Sequence, residues 1–157
     1  MDTRYIVFLI DGECSLCNQL IVWILNRRQD DNIRFFPLQS RSSIDFLTSV
    51  GVVDGQSMNS SYLVSDKGVF RKSRAFFELT AYLKGTASLL RYFGYFPESM
   101  TDFFYDLIAR HRYQIFGKES SVCDFAHRHY AKYLLSEHEA STFFKKMRSL
   151  YDSEQQA

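Results

Sequence analysis

Six consecutive apolar residues, Tyr5 to Ile10 (YIVFLI), stop at Asp11-Gly12, and the hydrophobic pattern changes period straight afterwards. A run so short, rich in β-branched and aromatic residues, fits a strand buried on both faces. It is too short to cross a membrane and lacks the layout of a cleavable signal. From Cys14 onward, Cys17, Leu20, Ile21 and Ile24 recur at i, i+3, i+4 and i+7, one face of a helix. Arg27 and Arg28 occupy its last turn, where positive charge suits the helix dipole. Asp30-Asp31-Asn32 interrupts the pattern, and Ile33 to Phe36 reads as a second strand closed by Pro37. Strand, helix and strand with short joints predict a βαβ unit with parallel strands and a right-handed crossover.

The rest of the chain adds a hairpin and helices. Ser43 to Val50 reads as a short helix ended at Gly51. Ser61 to Val64 and Val69 to Arg71, split by Asp66-Lys67-Gly68, read as a β-hairpin. Ser73 is a candidate cap for a helix running to about Leu83 and stopped at Gly85. Pro97 sits where a first helical residue belongs, and Met100, Phe103, Phe104, Leu107 and Ile108 make an apolar stripe after it. Val122, Phe125, Ala126, His129, Tyr130 and Tyr133 form another stripe. Ser136 and Glu139 form a capping box ahead of Phe143, Phe144, Met147 and Leu150. Asp152 to Ala157 are expected to fray. Trp23 is expected in the core, and the cluster Phe93, Tyr95 and Phe96 reads as core by default or else as a partner surface.

Composition narrows the function classes. The chain has 157 residues, enough for one domain with a real core. Its 19 Lys and Arg nearly balance 18 Asp and Glu, so no basic field argues for nucleic acid. Three cysteines are an odd set and a poor disulfide scaffold. The expectation is a soluble cytoplasmic protein with no membrane insertion.

Chemistry concentrates in Cys14-Ser15-Leu16-Cys17. Residues three apart share one side of a helix, so the two sulfurs can come within bonding distance. Cys14 falls on the first turn, where free N–H groups and the dipole favour a thiolate below the ordinary value of about 8.5. Cys17, one turn deeper, suits the resolving role. The expected chemistry is dithiol–disulfide exchange with a disulfide-bearing protein or a small-molecule thiol, without a cofactor or metal. Asp11 either accepts a proton during exchange or bonds backbone N–H groups in the turn. Asp11 and Glu13 beside Cys14 oppose a second negative charge.

Two other readings use the same residues. Cys14 and Cys17 could join Cys123 with His127 or His129 as a zinc site in a non-catalytic module. They could also be inert core thiols. A strand running directly into C-x-x-C and a helix favours redox chemistry. Asn18 after Cys17, rather than His, excludes c-type haem attachment. Arg110, Arg112 and Tyr113 either supply positive charge to the site or form a solvated helix end. Cys123 is either a third redox partner or a plain thiol.

Asp11-Gly12-Glu13-Cys14-Ser15-Leu16-Cys17-Asn18 resembles the D-x-x-C-x-x-C signature of the DCC family of thiol–disulfide oxidoreductases, also called YuxK-like. Further matches follow in order: Phe36-Pro37-Leu38-Gln39-Ser40, then Ser73 with Ala75, then Tyr105 to Arg110, Arg112-Tyr113 and Phe116-Gly117-Lys118. The resemblance spans about Tyr5 to Cys123. It implies an α/β, thioredoxin-like core over residues 1–119, with residues 120–157 a helical extension packed on the same domain. It also implies catalysis by Cys14 and Cys17, and matches Cys123 to the family's Cys after F-G-[KR]. Met58-Asn59-Ser60-Ser61 has no Pro where thioredoxins carry their cis-Pro.

Overall fold

In the computed structural model, which describes residues 5–11, 15–52, 60–116 and 130–155, every residue of β1 (Ile6–Ile10) is buried. The continuous apolar run is needed because both faces of this strand are covered. Ile6, Phe8 and Ile10 enter one core with Ile21 and Ile24 of α1 (Ser15–Arg27) and Ala75 and Leu79 of α3 (Lys72–Thr80). Val7 and Leu9 enter the opposite core with Phe46 and Leu47 of α2 (Arg41–Ser49) and Phe143, Phe144 and Met147 of α5 (Glu137–Gln155). Alternation along a single strand thus organises two layers of helix.

The sheet runs in the order β2-β1-β3-β4, with β2 at Ile33–Pro37, β3 at Tyr62–Ser65 and β4 at Gly68–Arg71. β1 and β2 are parallel, with Phe8 opposite Phe35. β3 is antiparallel to β1, with Leu9 opposite Tyr62, and β4 is antiparallel to β3, with Tyr62 opposite Arg71. A parallel βαβ unit extended by an antiparallel hairpin and a helix is the thioredoxin-like arrangement, here carrying further helices. Among the described residues no helix is long and apolar enough to cross a membrane.

Several local expectations need correction. Helix α2 starts at Arg41, because Ser40 caps it by accepting from the Ser43 amide at 3.2 Å. Ser73 does not cap α3, whose N-cap is Arg71 without a side-chain bond and which ends at Thr80. The Ser73 hydroxyl donates instead to Asp102 Oδ1 at 2.6 Å on α4 (Glu98–Phe116). Gly85–Tyr95 forms a 3-10 helix that periodicity did not foresee. The α4 stripe from Met100 to Ile108 lies exposed, as do Phe93, Tyr95 and Phe96. Trp23 is only half-buried, stacked on Phe76 with Arg27 over its ring. Leu150 is exposed on α5, and that helix continues through Gln155 rather than fraying at Asp152. The stripe from Val122 to His129 lies outside the described residues, whereas Tyr133 is buried.

The capping box forms as expected. The Ser136 amide donates to Glu139 Oε2 at 2.9 Å, and the Glu139 amide donates to Ser136 Oγ at 3.3 Å. The Ser136 hydroxyl, donating to Glu139 Oε2 at 2.7 Å, and then the Ser136 amide hold the Glu139 carboxyl below its ordinary range.

Candidate functional site

Strand directions bring four chain segments to one edge of the sheet. β1 ends at Ile10 and runs into Asp11; β2 ends at Pro37 and runs into Gln39. β3 runs the other way, so its first residues lie at the same edge, and β4 returns there at Arg71 and Lys72. Helix α1 starts at this edge too, at Ser15, so its positive dipole end faces the same region.

Asp11 is 5% exposed, and Gln39 Nε2 donates to its Oδ1 at 2.7 Å. A buried carboxyl is tolerated where polar partners take up its oxygens, and Gln39 supplies one. Cys17, the third residue of α1, is 6% exposed and belongs to the core shared by α1, α3 and β1. Burial suits a thiol reached by an intramolecular partner better than one open to bulk substrate.

Two strands away, on the order of 10 Å across the sheet, a polar cluster closes the edge. The Lys72 amide donates to the Ser61 carbonyl at 3.0 Å, one step past the Tyr62–Arg71 pair. The Ser61 amide donates in turn to the Tyr105 hydroxyl of α4 at 2.8 Å. Lys72 Nζ lies 2.8 Å from Asp106 and 3.9 Å from Asp102. Its backbone has φ +52°, a left-handed conformation that costs a non-glycine residue about 1–3 kcal/mol. The strain is held in place by that backbone bond and the two carboxylates. Beside it, burial first of all raises the Tyr62 hydroxyl above its ordinary pKa, against the lowering pull of Arg71 and Lys72.

Asp11 directly follows β1 and Cys17 stands in the first turn of α1, and both are buried. Cys14, Cys123, His127 and His129 lie outside the described residues, as does the side chain of Tyr113. Arg110 is exposed on α4. Among the described residues no group of three His, Cys, Asp or Glu could hold a metal, and of the candidate zinc ligands only Cys17 is described.

Lys72 and Asp102 were not singled out from sequence, and Gln39 and Tyr105 appeared only within motifs. A signal for the cluster does exist. Asp102 and Asp106 are four apart, on the side of α4 away from its apolar stripe, and a helix that carries carboxylates there can meet a lysine.

Residues 8–118 match the model of the DCC1-like thiol-disulfide oxidoreductase family. The chain is 33% identical over 114 residues to the uncharacterized protein YuxK of Bacillus subtilis, covering 73% of this chain and 82% of that one. It is 30% identical over 116 residues to a chloroplastic DCC family protein of Arabidopsis thaliana, covering 73% and 67%. No solved structure matches at a significant level.

Proposed function

Since the chain belongs to the DCC1-like thiol-disulfide oxidoreductase family, we propose that it performs dithiol–disulfide exchange through Cys14 and Cys17. The Cys14 thiolate attacks one sulfur of a substrate disulfide, forming a mixed disulfide and releasing one substrate thiolate. Cys17, deprotonated, attacks the Cys14 sulfur and expels the second substrate thiolate. The substrate gains two electrons and the protein keeps a Cys14–Cys17 disulfide, which an external dithiol reduces. Asp11 accepts the Cys17 proton.

The observation that supports this reading is the burial of Cys17 in the first turn of α1, at the sheet edge where β1 ends in a buried Asp11 held by Gln39. A resolving thiol works from such a place, since only a sulfur already attached to the protein reaches it. Substrate is a disulfide in a protein or small molecule, and the setting is cytoplasmic.

The test is disulfide reduction with dithiothreitol as electron source. Cys14→Ser is expected to fall to background. Cys17→Ser is expected to trap the substrate as a mixed disulfide detectable by intact mass. Wild-type turnover by Cys14→Ser refutes the assignment.

A further inference from the structure

Helices α2 and α5 pack together over the face of the sheet opposite α1, and the seam between them opens into a groove of about 200 Å³. Their first turns are joined. Ser42 of α2 donates to Glu137 of α5 through its amide at 3.3 Å and its hydroxyl at 2.5 Å. Farther along, Phe46 and Phe144 stack at 4.7 Å and floor the groove. At about 30 Å³ per water molecule the space holds about six or seven waters. That suits a small molecule, below the roughly 300–1,000 Å³ of drug-sized sites.

The two walls differ in charge. On the α5 side Ser141, Lys145 and Arg148 line the groove at i, i+4 and i+7, one face of the helix. On the α2 side stand Asp45 and the hydroxyls of Ser42 and Ser49. Elsewhere the protein pairs its cations: Lys72 with Asp106, Arg74 with Glu78, Lys132 with Asp31. Lys145 and Arg148 are different. Among the described residues neither has a carboxylate within 4.0 Å or donates a hydrogen bond, and the Ser141 hydroxyl is also without a partner. Asp45 does not answer them across the groove; it lies 3.9 Å from Arg41 of its own helix.

The geometry points to a binding site in this groove for a small polyol carrying one phosphate ester, a ligand unconnected with the cysteines. A phosphate monoester carries about −1.5 to −2 charges at pH 7 and three strong acceptor oxygens. Lys145 and Arg148 match that charge, the guanidinium gripping two oxygens in its fork and the ammonium acting as a point charge. The Ser141 hydroxyl donates to the third oxygen. A single carboxylate would leave one of the two cations uncompensated. Opposite, Asp45 accepts hydrogen bonds and donates none, so it takes a ligand hydroxyl and repels a second acid group. Ser42 and Ser49 have oxygen lone pairs for further hydroxyls on the same side.

NMR titration of the intact chain with glycerol 3-phosphate, at low ionic strength where charges are least screened, tests the proposal. Saturable amide shifts in α2 and α5 are expected, with a dissociation constant on the order of 1 mM. Lys145→Glu and Arg148→Glu each weaken binding at least about tenfold. Both positions are exposed, and Lys145→Gln and Arg148→Gln serve where a reversal disturbs the helix. Glycerol 3-phosphate binds at least about threefold tighter than inorganic phosphate, and Asp45→Ala removes that preference. Absence of saturation by about 20 mM overturns the proposal, as do charge-reversed variants that bind like the wild type. Succinate binding as tightly as glycerol 3-phosphate, or inorganic phosphate doing so, overturns the assigned ligand class.

Discussion

Helices α4 and α5 are both 19 residues long and both carry an apolar stripe, yet they sit on the protein in opposite senses. α5 buries Ala140, Phe143, Phe144 and Met147 against α2 and the sheet, with Phe46 stacked on Phe144 at 4.7 Å. α4 meets α3 through carboxylates, a lysine and hydroxyls, and leaves its rings in water. Periodicity tells which residues share a face. It does not tell which face finds a complementary surface. α5 lands over Val7, Leu9 and Phe36, an apolar floor still uncovered by the short α2. α4 lands beside Lys72 and Ser73, where only polar atoms can answer.

The sharpest way to break this contrast is to truncate one ring from each stripe. Phe143→Ala removes a 2%-exposed side chain from the core and is expected to cost about 3–5 kcal/mol. Phe104→Ala is expected to change stability by no more than about 0.5 kcal/mol. Urea unfolding of both variants decides it. Equal losses would mean that α4 is packed by its rings after all.

An intermediate effect comes from the polar attachment. Ser73→Ala removes a buried hydroxyl that donates to Asp102 and can accept from the Thr101 hydroxyl 3.1 Å away. The expected loss is about 1–3 kcal/mol, since one of the bonds is to a charged group. Hydrogen exchange should show it locally: α4 amides exchange faster, while α5 amides keep their protection. Faster exchange in α5 as well would deny that the two helices are anchored independently.

How far the sequence could be read follows the same divide. β1, the helix after it and the parallel β2 were legible because a fully buried strand and an amphipathic helix leave different periods. The Ser136–Glu139 box was legible because its chemistry is complete within four residues. Ser73 was misread because a serine near a helix start looks like a cap, whereas its true partner is 29 residues away. Lys72 escaped notice because its value lies in tertiary placement. Nothing local in Arg71-Lys72-Ser73 announces a left-handed backbone or two carboxylates from another helix. Asp11 and Cys17 stand out as site candidates from spacing alone, whereas the Gln39 bond to Asp11 depends on β2 ending beside β1.

The smallest effect is set by pH, and it separates the two helices by the way they are tethered. Upstream of α5, Asp31 accepts from Lys132 at 2.9 Å, from Tyr133 at 2.8 Å and from Arg28 at 3.1 Å. Those bonds, Lys132's first, hold its carboxyl well below the ordinary 3.8, and the Ser136 cap lowers Glu139 below 4.5. A folded-state pKa below the unfolded one means that the stabilisation is complete above the unfolded value and disappears as pH falls through the folded one. Both groups are solvent-exposed, so the contribution is small and salt-sensitive. The expected outcome is a melting temperature flat between pH 7 and 5 in these groups' contribution, then a shallow decline below about pH 4. Asp31→Asn and Glu139→Gln should each lower stability at pH 7 and flatten that decline. Since the rings of α5 remain packed when the tethers protonate, its amides should stay protected until the whole domain unfolds. Early release of α5 in acid would place its anchorage in the carboxylates rather than in Phe143, Phe144 and Met147.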